Sequence, residues 1–104
     1  MKMMVQFDID ADIIDVPQSV IDAREGLRTK FLRWLSDRNN KHKYWVKLKD
    51  KERGGCIWGL CFRSDAFVEW LNKKTLCDSD QKAILVDEHV CIDDMPDDMP
   101  YIFF

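Results

Sequence analysis

The chain has 104 residues, 46% of them apolar, and a formal net charge of −3. That length and composition suit one domain with a real core and exclude two ordinary domains. No apolar run approaches the roughly 18–20 residues of a membrane helix. The start, MKMMVQFDIDADIID, reads as neither a signal nor a transit peptide, so a cytoplasmic location is expected.

Residues 4–14 alternate, with Val5, Phe7, Ile9, Ala11 and Ile13 on one face and Asp8, Asp10 and Asp12 on the other. This period of two predicts a half-buried strand. Pro17 suits a helix entry, and Ser19 with Asp22 is similar to a capping box. A helix to about Arg38 should follow, burying Val20, Ala23, Leu27, Phe31, Trp34 and Leu35. Gly26 weakens that helix by roughly 1 kcal/mol relative to alanine and is read as a point of close approach to the sheet.

Lys43–Lys49 is a second strand, with Tyr44, Val46 and Leu48 inward and Lys43, Trp45, Lys47 and Lys49 outward. A polar hairpin loop, 50–55, leads to GGCIWGLCF. Both faces of strand 56–62 are mostly apolar, which predicts a central, covered position. Ser64 is the expected N-cap of a helix that buries Phe67, Trp70 and Leu71 and ends near Lys73 and Lys74. Residues 83–92 read as one bent strand. Residues 93–104 form an acidic, aromatic-ended tail, DDMPDDMPYIFF, whose prolines exclude a regular helix or central strand. Tyr101, Ile102, Phe103 and Phe104 should dock on the domain or on a partner.

The order strand, helix, strand, strand, helix, strand predicts an α+β fold, a ferredoxin-like split β-α-β (βαββαβ) two-layer sandwich with sheet order 4-1-3-2. The same order is similar to that of RNA-recognition domains, which stack bases on aromatics of their first and third strands. Gly59 and Cys61 stand where such rings belong, and the first-strand aspartates would repel phosphate, so none of that family's residues is carried over.

The charge is segregated. Residues 1–23 hold one base and five acids, residues 24–74 fourteen bases and six acids, and residues 75–104 one base and eight acids. The principal expectation is a small non-enzymatic binding protein that engages a basic protein partner, as an inhibitor or immunity-type regulator of a nuclease or toxin would. Its electrostatic candidates are Asp8, Asp10, Asp12, Asp93, Asp94, Asp97 and Asp98, and its anchor candidates are Tyr101 and Phe103. The alternative is nucleic-acid binding through residues 38–53, where Trp45 sits among Lys43, Lys47 and Lys49. A minor alternative is a Mg²⁺-dependent phosphoryl-transfer or nuclease enzyme, with Asp8, Asp10 and Asp12 spaced about 6.5–7 Å apart along one strand face.

Cys56, Cys61, Cys77 and Cys91 lack the short-spaced pairs of a structural zinc site, and Cys56 and Cys61 lie in an apolar strand. No disulfide, metal or other cofactor is expected. No local signature pairs a cysteine with His42 or His89 for covalent catalysis.

Overall fold

The computed structural model describes residues 1–49 and 54–104; of residues 48, 49, 56 and 57 the backbone alone is described. In chain order the elements are β1 (Lys2–Gln6), β2 (Ala11–Asp15), α1 (Gln18–Asp22), α2 (Arg24–Ser36), β3 (Trp45–Lys49), β4 (Cys56–Leu60), α3 (Ser64–Lys74), β5 (Ile84–Val90) and β6 (Tyr101–Phe103). A 3₁₀ turn at Ile92–Asp94 precedes β6.

The two-layer α+β character is as expected. The sheet is mixed and four-stranded, ordered β5-β2-β1-β6, while β3 and β4 form a separate two-stranded ribbon. The ferredoxin-like wiring, with all strands in one sheet ordered 4-1-3-2, is therefore not the arrangement observed.

The difference begins in the first fifteen residues. The expected single strand 4–14 is a hairpin, turned at Asp8–Ile9 and closed by the Phe7 N–H donating to the Asp10 carbonyl at 2.8 Å. Val5 lies opposite Asp12 and Met3 opposite Ile14. Facing residues share a side of the sheet, so the inward set is Met3, Val5, Asp12 and Ile14. Val5 and Ile13 thus point to opposite faces, and Ile9, expected inside, is 92% exposed. Both faces are covered, which is why Met3-Met4-Val5 and Ile13-Ile14 are continuous apolar runs.

The inner face carries the main core. Val20, Ile21, Leu27, Phe31 and Leu35 of α1 and α2 meet Phe67, Trp70 and Leu71 of α3 over Met3, Val5, Ile14 and Ile102. Phe31 is its centre, with ring contacts to Trp34, Phe62, Phe67, Trp70 and Phe104. On the outer face Met4, Ala11 and Ile13 are covered by Val90, Ile92, Met95 and Met99. The acidic tail thus includes the lid of a second, smaller core.

Several local expectations change. The first helix breaks at Ala23, which is exposed, and no side chain caps α1, so the Ser19–Asp22 box does not form. Nothing lies within 4 Å of a Cβ built on Gly26, so the expected close approach is absent. Arg63, not Ser64, is the N-cap residue of α3. β4 is not a central strand, and Cys61 is exposed. Most of the expected 50–55 loop lies outside the described residues, but Lys49 pairs with Cys56, as a hairpin requires. Gly54 at its end takes φ +67, a conformation that favours glycine. β5 is one strand, irregular through two register shifts against β2. β6 runs parallel to β1 at the sheet edge, with Ile102 buried opposite Val5.

Candidate functional site

The N-terminal carboxylates do not form a row. Asp8 is exposed in the turn, and Asp12 is 0% exposed. The Arg63 guanidinium donates to both Asp12 oxygens, at 2.7 and 3.3 Å, and to Asp10 at 3.0 Å. The Ser64 hydroxyl and the His89 backbone N–H also donate to Asp12. The Asp12 carboxylate therefore fixes the entry of α3, where a negative charge also meets the positive end of the helix dipole. His89 has φ 55, and its ring Nδ1 lies 2.6 Å from Asp10. Burial opposes ionisation of Asp12, but its donors outweigh that and hold its carboxyl below the usual range. The His89 ring hydrogen bond, with help from Arg63, lowers Asp10 as well.

Asp10 and Asp12 are therefore internal partners of Arg63 and His89, not a free electrostatic surface. The same geometry removes the evenly spaced carboxylate face on which the magnesium reading rested. Among the described residues no group of three or more His, Cys, Asp or Glu side chains is placed to hold a metal ion. Cys61, Cys77 and Cys91 are free and exposed.

The tail acids are elsewhere. Asp93, Asp94, Asp97 and Asp98 are exposed on the segment that crosses the outer face. Tyr101 and Phe103 are 54% and 48% exposed on the same face, opposite Met4 and Gln6. Phe104 turns inward to stack on Phe7 at 6.3 Å. Arg24 and Arg28 of α2 donate to the carbonyls of Tyr101 and Phe103, which occupies acceptors on the edge of β6.

A concavity lies on the ribbon. Trp45 faces Leu60, and Lys47 faces Trp58, so Trp45, Lys47 and Trp58 share one side. There a cavity of about 480 Å³ is lined by Arg38, Lys41, His42, Trp45 and Trp58. Trp58 is 59% exposed, a large apolar ring left in water.

Trp45 is held in place. Its indole N–H donates to the Asn40 carbonyl at 3.0 Å, and its ring stacks on His42 with centroids 5.7 Å apart and planes 9° from parallel. His42 contacts Trp34 in turn, at 4.7 Å, and Trp34 stacks on Phe31 in the core. Both His42 nitrogens are engaged by backbone. Nε2 lies 2.8 Å from the Leu35 carbonyl, which can only accept, and Nδ1 accepts from the Tyr44 N–H. With both ring nitrogens taken up by the backbone, His42 presents its ring to the cavity as an aromatic wall. The cavity thus offers ring faces and the two cations Arg38 and Lys41. No carboxylate lines it among the described residues.

The 38–53 segment therefore contributes Arg38, Lys41, His42 and Trp45 to this site, while the Lys49 side chain and residues 50–53 lie outside the described part. Trp58 was hidden in the sequence by its apolar neighbours. Its register opposite Lys47 is what reveals it.

No protein-family model matches the chain, and no curated protein or solved structure resembles it significantly. No helix among the described residues is long and apolar enough to cross a membrane.

Proposed function

We propose that this protein binds single-stranded nucleic acid at the Trp45–Trp58 cavity. The observation that carries this reading is the lining itself: two tryptophans, a histidine ring and two cations around about 480 Å³. That volume falls within the roughly 300–1,000 Å³ of ordinary ligand sites and is ample for one splayed base with its phosphate. The Trp45 N–H and both His42 nitrogens already have partners, so a base would be met by ring faces and its phosphate by Arg38 and Lys41. Stacking plus cations, without directional base readout, fits a sequence-tolerant single-strand site. A paired base is already stacked in its duplex and cannot enter such a cavity.

The test is fluorescence anisotropy of labelled ten-nucleotide oligothymidylate at low salt. Base–aromatic stacking is worth about 1–3 kcal/mol, so Trp58→Ala should weaken binding about 5- to 150-fold. Trp58 is largely exposed, so the fold should tolerate the change. Unchanged affinity in Trp58→Ala, with the wild type binding, would remove the reading.

A second reading is favoured by the exposed Asp93, Asp94, Asp97 and Asp98 beside the half-exposed Tyr101 and Phe103. These six residues lie on the outer sheet face and would suit a basic protein partner, as in an inhibitor or immunity-type role. Asp10 and Asp12 take no part in it. Free thiols fit a reducing, cytoplasmic setting for either reading.

A further inference from the structure

A second cavity, about 320 Å³, adjoins the first, and Lys41 and His42 line both. It lies between the segment 41–44 that leads into β3 and one side of α3, and is lined also by Lys43, Lys73, Lys74 and Glu69. Four lysines thus surround one carboxylate. Glu69 is already committed: it accepts from the Tyr44 hydroxyl at 2.7 Å and pairs with Lys73 at 2.9 Å and Lys43 at 3.1 Å. Lys41 and Lys74 make no ion pair among the described residues. Lys73 and Lys74 also lie at the end of α3 where the dipole is negative, so they are there at no cost to the helix.

We propose that this second cavity is a phosphate subsite for the next nucleotides of the same strand. The strand would run from Trp58 and Trp45, past Lys41, to Lys73 and Lys74. This inference rests on the nucleic-acid reading above and extends it from a one-base pocket to a path of at least two nucleotides. The chemistry is asymmetric. Rings line both cavities, Trp34, Tyr44 and Trp70 among them in the second, but the first has two cations and the second four lysines around one paired carboxylate. The first grips a base, and the second grips backbone charge.

The experiment compares the wild type with the double variant Lys73→Gln, Lys74→Gln. Two probes are used: thymidine monophosphate, read by tryptophan quenching, and ten-nucleotide oligothymidylate or oligouridylate, read by anisotropy across a salt series. Each single-strand phosphate that a cation no longer neutralises lowers the slope of log K against log salt by about 0.7, so the double variant should lose about 1.4. Its monophosphate affinity should stay within about twofold, because the Trp cavity is intact. In the reverse direction, Glu69→Gln removes the one negative charge while keeping an acceptor for Tyr44, and should tighten oligonucleotide binding severalfold. A DNA and an RNA oligomer should respond alike, because backbone charge is the feature read; a slope that changes with one and not with the other would overturn that. An unaltered salt slope in the double variant, with monophosphate binding preserved, overturns the subsite and leaves the Trp cavity standing. Failure of the wild type to bind either probe overturns both.

Discussion

Replacing Arg63 with alanine isolates the charge that joins the N-terminal hairpin to α3. The change removes three hydrogen bonds to Asp12 and Asp10 and a guanidinium 4.4 Å from the Phe7 ring centre. Asp12 would keep the Ser64 hydroxyl and the His89 N–H as donors but would have no counter-charge in a fully buried position. Breaking a buried pair by deleting one partner costs about 3–5 kcal/mol. The Arg63 side chain is one third exposed, so water can enter the vacated space and the low end, about 3 kcal/mol, applies. At about 4 °C per kcal/mol for a domain of this size, the melting temperature should fall by about 12 °C. Urea unfolding followed by circular dichroism reads the loss as a lower midpoint with unchanged slope. Adding Asp12→Asn should recover part of it, because an amide tolerates the site better than an unpaired carboxylate, with a coupling of at least about 1 kcal/mol. An Arg63→Ala protein melting within 2–3 °C (about 0.6 kcal/mol) of wild type would refute the reasoning. So would strictly additive single variants.

Two further predictions concern the same scaffold. Gly26→Ala should raise stability by about 0.5–1 kcal/mol, since the site is helical and open; a lower urea midpoint would mean that a neighbour occupies that space. Asp10, Asp12 and Glu69 all ionise below the ordinary carboxylate range, Glu69 at about 2 through the Tyr44 hydroxyl, Lys73 and Lys43. A depressed carboxylate contributes fully above its unfolded value and loses that contribution as pH falls through the folded one. Stability from these groups should therefore hold above about pH 4–5 and fall toward pH 2, with a shallower fall in Glu69→Gln; an equal acid slope in that variant would contradict the assignment.

The helices were legible because their stripes depend only on spacing. Val20, Leu27, Phe31 and Leu35, and likewise Phe67, Trp70 and Leu71, are all buried. The hairpin was not legible, because apolar alternation runs through the turn without a break. Asp8–Ile9 carries none of the usual turn chemistry, so tertiary packing of the Met3–Val5 and Ala11–Ile14 runs decides the fold there. Asp12 misled for a related reason. Alternation placed it on a wet face, whereas its partner Arg63 is fifty-one positions away and no local pattern announces it. The docked tail was half legible. Four apolar residues demanded cover, but a parallel pairing with β1 is non-local and invisible to periodicity.

The strand that misled most is the one that carries Trp58. GGCIWGLCF has the composition of a buried central strand, yet it pairs only with β3, and Trp58 stays exposed. The charge pattern then acquires a spatial meaning. The first-segment acids Asp10 and Asp12 are absorbed by Arg63 and His89. The tail acids lie with the segment that covers the outer sheet face. The basic middle segment supplies Arg38, Lys41, Lys43, Lys73 and Lys74 around two joined cavities on the helix and ribbon side. A chain of net charge −3 thus gathers five cations at two adjoining cavities, while four of its acids lie on the tail segment. On the nucleic-acid reading a polyanion would meet the ribbon side and not the tail, an orientation that acts within about 8 Å at physiological salt. On that reading the cations that line the two cavities, and not the net charge, decide the binding.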